Sequence, residues 1–151
     1  MTDKQNTDKA VLELKRLSRD YEIPIFAISS FNRESYSEPV SMKSYKESGA
    51  IEYSSDVLIG LQYKDMDYQK GEKQPQRLER IAEIIKDVNQ RAKNGQDIEI
   101  EVKVLKNRNG QRDRTIIKYY PMFNYFEDVL KDDCKQTDES DEEDNEDILE
   151  I

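Results

Sequence analysis

The chain has 151 residues and a formal net charge of −9, enough for one domain and a tail. It contains no histidine and one cysteine, Cys134, which excludes His-based triads, His metal sites and an internal disulfide framework, and suits a reducing cytoplasm. No run approaches the roughly 18 apolar residues of a membrane span, and no secretory apolar region follows Met1.

Ala10, Val11, Leu14, Leu17 and Tyr21 recur at helical spacing and predict a helix over 8–20, with Thr7 as N-cap and Asp8 in the first turn. Ile23-Pro24-Ile25-Phe26-Ala27-Ile28-Ser29 follows at once and is almost continuously apolar, the mark of a strand covered on both faces. Residues 30–42 read as loop. Ser44-Tyr45-Lys46-Glu47 fits a capping box, so a short helix is expected to start near Ser44, with Gly49 ending or bending it. Asp56 to Tyr63 reads as a second buried strand and Lys64 to Gln74 as loop. From Arg77, the residues Leu78, Ile81, Ala82, Ile85, Val88 and Ala92 line one face of a helix over 76–93, stopped by Asn94-Gly95.

Ile98, Ile100, Val102 and Val104 then alternate with polar residues, which predicts a strand with one wet face. Val102 to Tyr120 forms two β-rich runs around Asn109-Gly110, a strong hairpin signal. Met122 to Phe126 is expected to form a last short strand. Residues 127–151 hold 13 acids against 2 bases, whereas residues 1–126 hold 20 acids against 22 bases. The tail is expected to be disordered. The body is nearly neutral, so the average acidity does not argue against nucleic-acid binding by it.

Lys106 and Arg108 stand two apart just before the Asn-Gly turn. Side chains two apart on a strand point to the same face, so both cations project together, a device suited to gripping a phosphate. The competing reading is that edge charges suppress aggregation.

Three stretches in order carry a resemblance: Ile28-Ser29-Ser30-Phe31-Asn32-Arg33; Lys46-Glu47-Ser48-Gly49-Ala50-Ile51-Glu52-Tyr53-Ser54-Ser55-Asp56; and Lys106-Asn107-Arg108-Asn109-Gly110. Together they resemble the C-terminal part of the RecA-like motor domain of DnaB-family replicative helicases, over residues 8–126. The resemblance implies an α/β fold: a partial RecA-like sheet of the P-loop NTPase type with flanking helices and a C-terminal β-hairpin. It implies a partial motor domain over 1–126, followed by the acidic tail.

The family's strand end reads Ser-Gln-Leu-Asn-Arg, with Gln sensing the nucleotide. Ser30 takes that position here, while Asn32 and Arg33 match. The family's Arg-Glu-Ser-Gly loop touches single-stranded DNA, which assigns DNA contact to Lys46, Glu47 and Gly49. A solvated helix face for Lys46 and Glu47, and a helix-ending glycine for Gly49, remain the alternatives. Lys46 lacks the planar fork of the family's Arg, and Tyr53 replaces a family Gln. By the same resemblance, Arg108 is the arginine finger reaching a neighbouring subunit's ATP, and Lys106 assists at the γ-phosphate.

No G-x-x-x-x-G-K-[ST] phosphate loop occurs, and the family's Walker B acid would precede residue 1. The chain is therefore expected to be the back half of a motor, an engineered piece, a truncated gene or a remnant. The helix over 76–93 reads as an insertion on the outside of the ring. ATP and Mg are implied for the parent motor, with neither expected to bind tightly to this chain alone, which should be inactive by itself. Implied partners are single-stranded DNA, further copies in a hexamer, and a primase or helicase loader, with no membrane. Strands deprived of neighbours predict self-association, or a sheet rearranged to pair Ile23–Ser29 with Val57–Gln62. The alternative functional reading is a non-catalytic module docking on a helicase or recombinase.

Overall fold

The computed structural model describes residues 3–30, 37–45 and 49–129. Helix α1 spans Asp3–Tyr21. It starts ahead of Thr7, which therefore lies inside the helix and does not cap it. Its exit is tight: Glu22 adopts a positive φ of 53°, and Ser18 closes the turn, its hydroxyl donating to the Ile23 carbonyl at 2.7 Å. A 3-10 turn follows at Met42–Tyr45 and a short helix α2 at Gly49–Ser54. Gly49 is the first described residue of this helix and so does not end it, one of the two roles expected of it. Strand β1 is Val57–Tyr63, helix α3 Gln74–Lys93, β2 Ile98–Asn107, β3 Arg114–Tyr120 and β4 Tyr125–Asp128. The four strands form one antiparallel sheet in the order β1-β2-β3-β4.

The α/β class expected from the sequence holds, but several elements are placed differently. Ile23–Ser29 is not a strand. It runs unpaired, with Phe26 94% and Ile28 102% exposed. β1 pairs with β2 and its other edge has no described strand beside it, so this segment is not added to the sheet. Nor is β1 covered on both faces. Leu58, Gly60 and Gln62 are buried, while Val57, Ile59 and Leu61 on the other face stay about half exposed. The last strand begins three residues later than expected, after a turn in which Asn124 takes a φ of 47°. Residues 130–151, the bulk of the predicted tail, lie outside the described residues.

The core is small: among the described residues Val40, Leu58, Met66, Ile81 and Ile98 are its buried apolar members. Val40 sits on Gly60 so closely that a Cβ there would collide with it and lie 3.0 Å from Leu105. Beside this contact, Gln62 accepts the Val40 N–H at 2.8 Å and donates to Glu101 at 2.6 Å and Asp67 at 3.1 Å. Lys103 completes the cluster by pairing with Asp67. The polar face expected to be wet is thus occupied at Glu101, which is buried. Its charge is tolerated because Gln62, Lys103 and Arg114 surround it.

Helix α3 forms as the sequence predicts. Pro75 suits its first turn, Gln76 accepts the Lys73 N–H at 3.1 Å, and Gly95 leaves the C-terminus with a φ of 70°. Its apolar stripe is only partly used: Ile81 is buried, but Leu78 and Ile85 are exposed. The deepest side chain of α3 is instead Arg77, 2% exposed. Arg77 donates to the carbonyls of Ser37, Met66 and Asp67 at 2.9–3.2 Å and lies 4.1 Å over the Tyr68 ring. It therefore ties the 37–45 segment to the loop after β1.

Candidate functional site

The hairpin between β2 and β3 is wider than its Asn-Gly pair suggests. Residues 108–113 all lie outside the strands, and neither Asn109 nor Gly110 has the positive φ that a tight type I′ turn requires. The loop is closed by Asn107, whose side-chain amide donates to the Gln111 carbonyl at 3.1 Å, and by the Val104 N–H donating to Asp113 at 2.8 Å.

A bulge decides where the two cations point. Leu58 lies opposite Lys106 and Ile59 opposite Val104, so Leu105 is one residue extra on β2. Because side chains alternate with a period of two, one inserted residue turns everything beyond it to the other face. Lys106 is thereby moved off the apolar face shared by Val104 and Ile59 and set beside Leu58.

Both cations then converge on the C-terminal end of α2. The Lys106 ammonium donates to the Glu52 carbonyl, and the Arg108 guanidinium donates to the Tyr53 carbonyl at 3.2 Å. Positive charge is favourable there, where the helix leaves unpaired carbonyls. Arg108 also pairs with Asp56 at 2.8 Å, and its own N–H donates to the Asp56 carbonyl at 2.9 Å. The other oxygen of Asp56 is held by Lys15 of α1 at 2.6 Å. The hydrogen bond from Lys15, reinforced by the charges of Lys15, Arg108 and Lys106, holds the Asp56 carboxyl below the usual carboxylate range against the opposing effect of desolvation. The Arg108 side chain remains 49% exposed, so it is held without being enclosed.

Of the other residues singled out from the sequence, Gly49 starts the same helix α2 whose far end receives the cations. Ser30 ends the unpaired segment, exposed. Asn32, Arg33, Lys46 and Glu47 lie outside the described residues. Two clefts run along α3, one lined by Ala82, Lys86 and Asn94 and the other by Tyr63, Asp87 and Arg91. Neither includes any of the candidate site residues read from the sequence. Asp56 and Lys15 were not singled out as site residues. Their partners stand 52 and 41 positions away, and no local pattern marks such a pairing.

The chain matches the family model of the DnaB-like helicase C terminal domain over residues 2–128. It is similar to two curated proteins, each named Replicative DNA helicase DnaB, from two strains of Helicobacter pylori. It is 32% identical to that of strain 26695 over 133 residues, covering 78% of this chain and 27% of the relative. It is 32% identical to that of strain J99 over 136 residues, covering 80% and 28%. The chain thus spans little more than a quarter of the length of these relatives. Among solved structures it resembles an ATPase domain, with a TM-score of 0.59 and 18% identity over 85% of this chain and 38% of that one. The last likeness is one of fold.

Proposed function

The chain belongs to the DnaB-like helicase C-terminal domain family, and on that premise we propose that it is part of an ATP-dependent replicative helicase in which Lys106 and Arg108 present positive charge to ATP bound by a neighbouring subunit. The observation that carries this reading is the bulge-directed convergence of both side chains on one spot, half exposed and backed by a rigid sheet. Surface charges that merely keep an edge strand soluble need no shared target.

Phosphoryl transfer demands positioned positive charge more than covalent chemistry. The family implies ATP and Mg. The donor set fits phosphate oxygens: a planar guanidinium able to bond two oxygens at once, and an ammonium acting as a point charge. When bound, ATP supplies the transferable phosphoryl group. The chain's own part is to hold two cations where negative charge develops. Among the described residues no group of three or more His, Cys, Asp or Glu is placed to hold a metal ion. Single-stranded DNA is the proposed ligand of the Lys46–Gly49 segment. A ring of six copies, with a primase or loader as further partner, is the proposed assembly in the cytoplasm. Among the described residues no helix is long and apolar enough to cross a membrane.

The test is Arg108→Ala and Arg108→Lys in the full-length motor carrying this chain. Arg108→Ala should lower kcat by about 10³-fold or more, as removal of an arginine finger does, with KM for ATP changed far less. Arg108→Lys should be nearly as damaging although charge is kept, because the fork is lost. Undiminished hydrolysis by Arg108→Ala would return both residues to the role of charged hairpin ends.

A further inference from the structure

We infer that Asp56 is a positioning residue for the reaction: it sets the root and the head of Arg108 together, and Lys15 of α1 holds it in place to do so. This rests on the reading of Arg108 as the cation supplied to the neighbouring subunit.

The wide hairpin loop explains the need. Arg108 is the first residue beyond β2, so the ladder no longer fixes its backbone, and a long flexible side chain on such a residue would sweep many orientations. Asp56 removes both freedoms. Its carbonyl accepts the Arg108 N–H at 2.9 Å, and its carboxylate accepts from the terminal guanidinium nitrogen Nη1 at 2.8 Å. The other terminal nitrogen, Nη2, is turned to the Tyr53 carbonyl. The carboxylate is oriented in turn by Lys15, which donates to its second oxygen at 2.6 Å.

Two features argue for positioning and against simple neutralisation. One carboxylate is shared by two cations, Lys15 and Arg108, and Lys106 sits on the adjacent carbonyl of Glu52, so the cluster stays positive and its field toward a phosphate is kept. A guanidinium also has five N–H donors, and engaging one on each terminal nitrogen leaves others free on a side chain that is half exposed. The arrangement therefore supplies pre-organisation, which acts on the reaction rate through geometry. Asp56 itself is not required to touch the nucleotide.

The experiment is a mutant cycle in the full-length motor. Asp56→Asn keeps the shape of the side chain but removes the charge that orients the guanidinium. It should lower kcat by about 10- to 100-fold, the scale of a misplaced reacting group, at nearly unchanged KM for ATP. Asp56→Glu should restore part of the loss, and Lys15→Met should give a smaller loss in the same direction. In an Arg108→Ala background, Asp56→Asn should cost nothing further. If Arg108→Ala cripples hydrolysis while Asp56→Asn does not, the positioning role is overturned and the finger reading survives. If both are harmless, both readings fall. If Asp56→Asn multiplies the loss of Arg108→Ala, or lowers kcat only in step with the melting temperature, its role is structural and the inference is overturned.

Discussion

Two arginines in this chain are held by nearly the same chemistry and differ in one respect. Arg77 donates to three main-chain carbonyls and has Glu72 at 3.9 Å; Arg108 donates to one carbonyl and has Asp56 at 2.8 Å. The Arg77 side chain is 2% exposed and that of Arg108 is 49% exposed. A cation sealed from water is committed to its partners, since losing them leaves a buried charge or orphaned carbonyls. A half-exposed cation stays oriented yet available to a ligand. The difference separates a residue that holds the fold from one that the fold presents.

If that separation is right, stability and activity should respond to different positions. Arg77→Met should destabilise most, by about 3 kcal/mol, because the carbonyls of Ser37 and Met66 lose their side-chain donor inside the protein, while that of Asp67 keeps only Arg80. Urea unfolding of the chain measures this, and a loss near zero would erase the contrast. Gly60→Ala is next, at about 1–3 kcal/mol, since the added methyl group meets Val40 in a packed contact. Arg108→Ala should stay within about 0.5 kcal/mol of the parent chain in the same assay. A much larger loss would make Arg108 a second Arg77.

The smallest effect concerns pH. The Asp56 carboxyl is held below its ordinary value of 3.8, first by the hydrogen bond from Lys15. A lowered folded-state value means that its contribution is present above the ordinary value and is lost as pH falls through the lowered one. The Asp56–Arg108 contact should therefore persist at about pH 5 and break only in stronger acid. Side-chain NMR signals of Arg108 followed against pH would show this, and release close to neutrality would contradict it. Because the pair is exposed to solvent, the accompanying change in stability should be no more than about 1 kcal/mol.

What could be read in the sequence is what local pattern encodes. Helix α3, its Asn94-Gly95 stop and the strand beginning at Ile98 follow from spacing and turn chemistry. What could not be read depends on partners distant in the chain. Ile23–Ser29 has the composition of a buried strand, but composition cannot say whether neighbours are there to pair with it. The extra residue at Leu105 leaves no mark in the alternation of Val102 and Val104, yet it decides which way Lys106 faces. Glu101 reads as a wet-face carboxylate until Gln62, Lys103 and Arg114 are folded around it, and Asp56 reads as an ordinary acid at the mouth of a strand.

The central claim is that Arg108 acts across a subunit boundary, and mixed rings test it most directly. One set of subunits would carry Arg108→Ala; the other would keep Arg108 but have its phosphate loop disabled. Each set alone should be inactive. Combined, some interfaces join an intact arginine to an intact nucleotide site, so ATP hydrolysis should return in part and rise and fall with the mixing ratio. Mixed rings as inactive as either parent, although assembled, would contradict an arginine supplied from the neighbouring subunit.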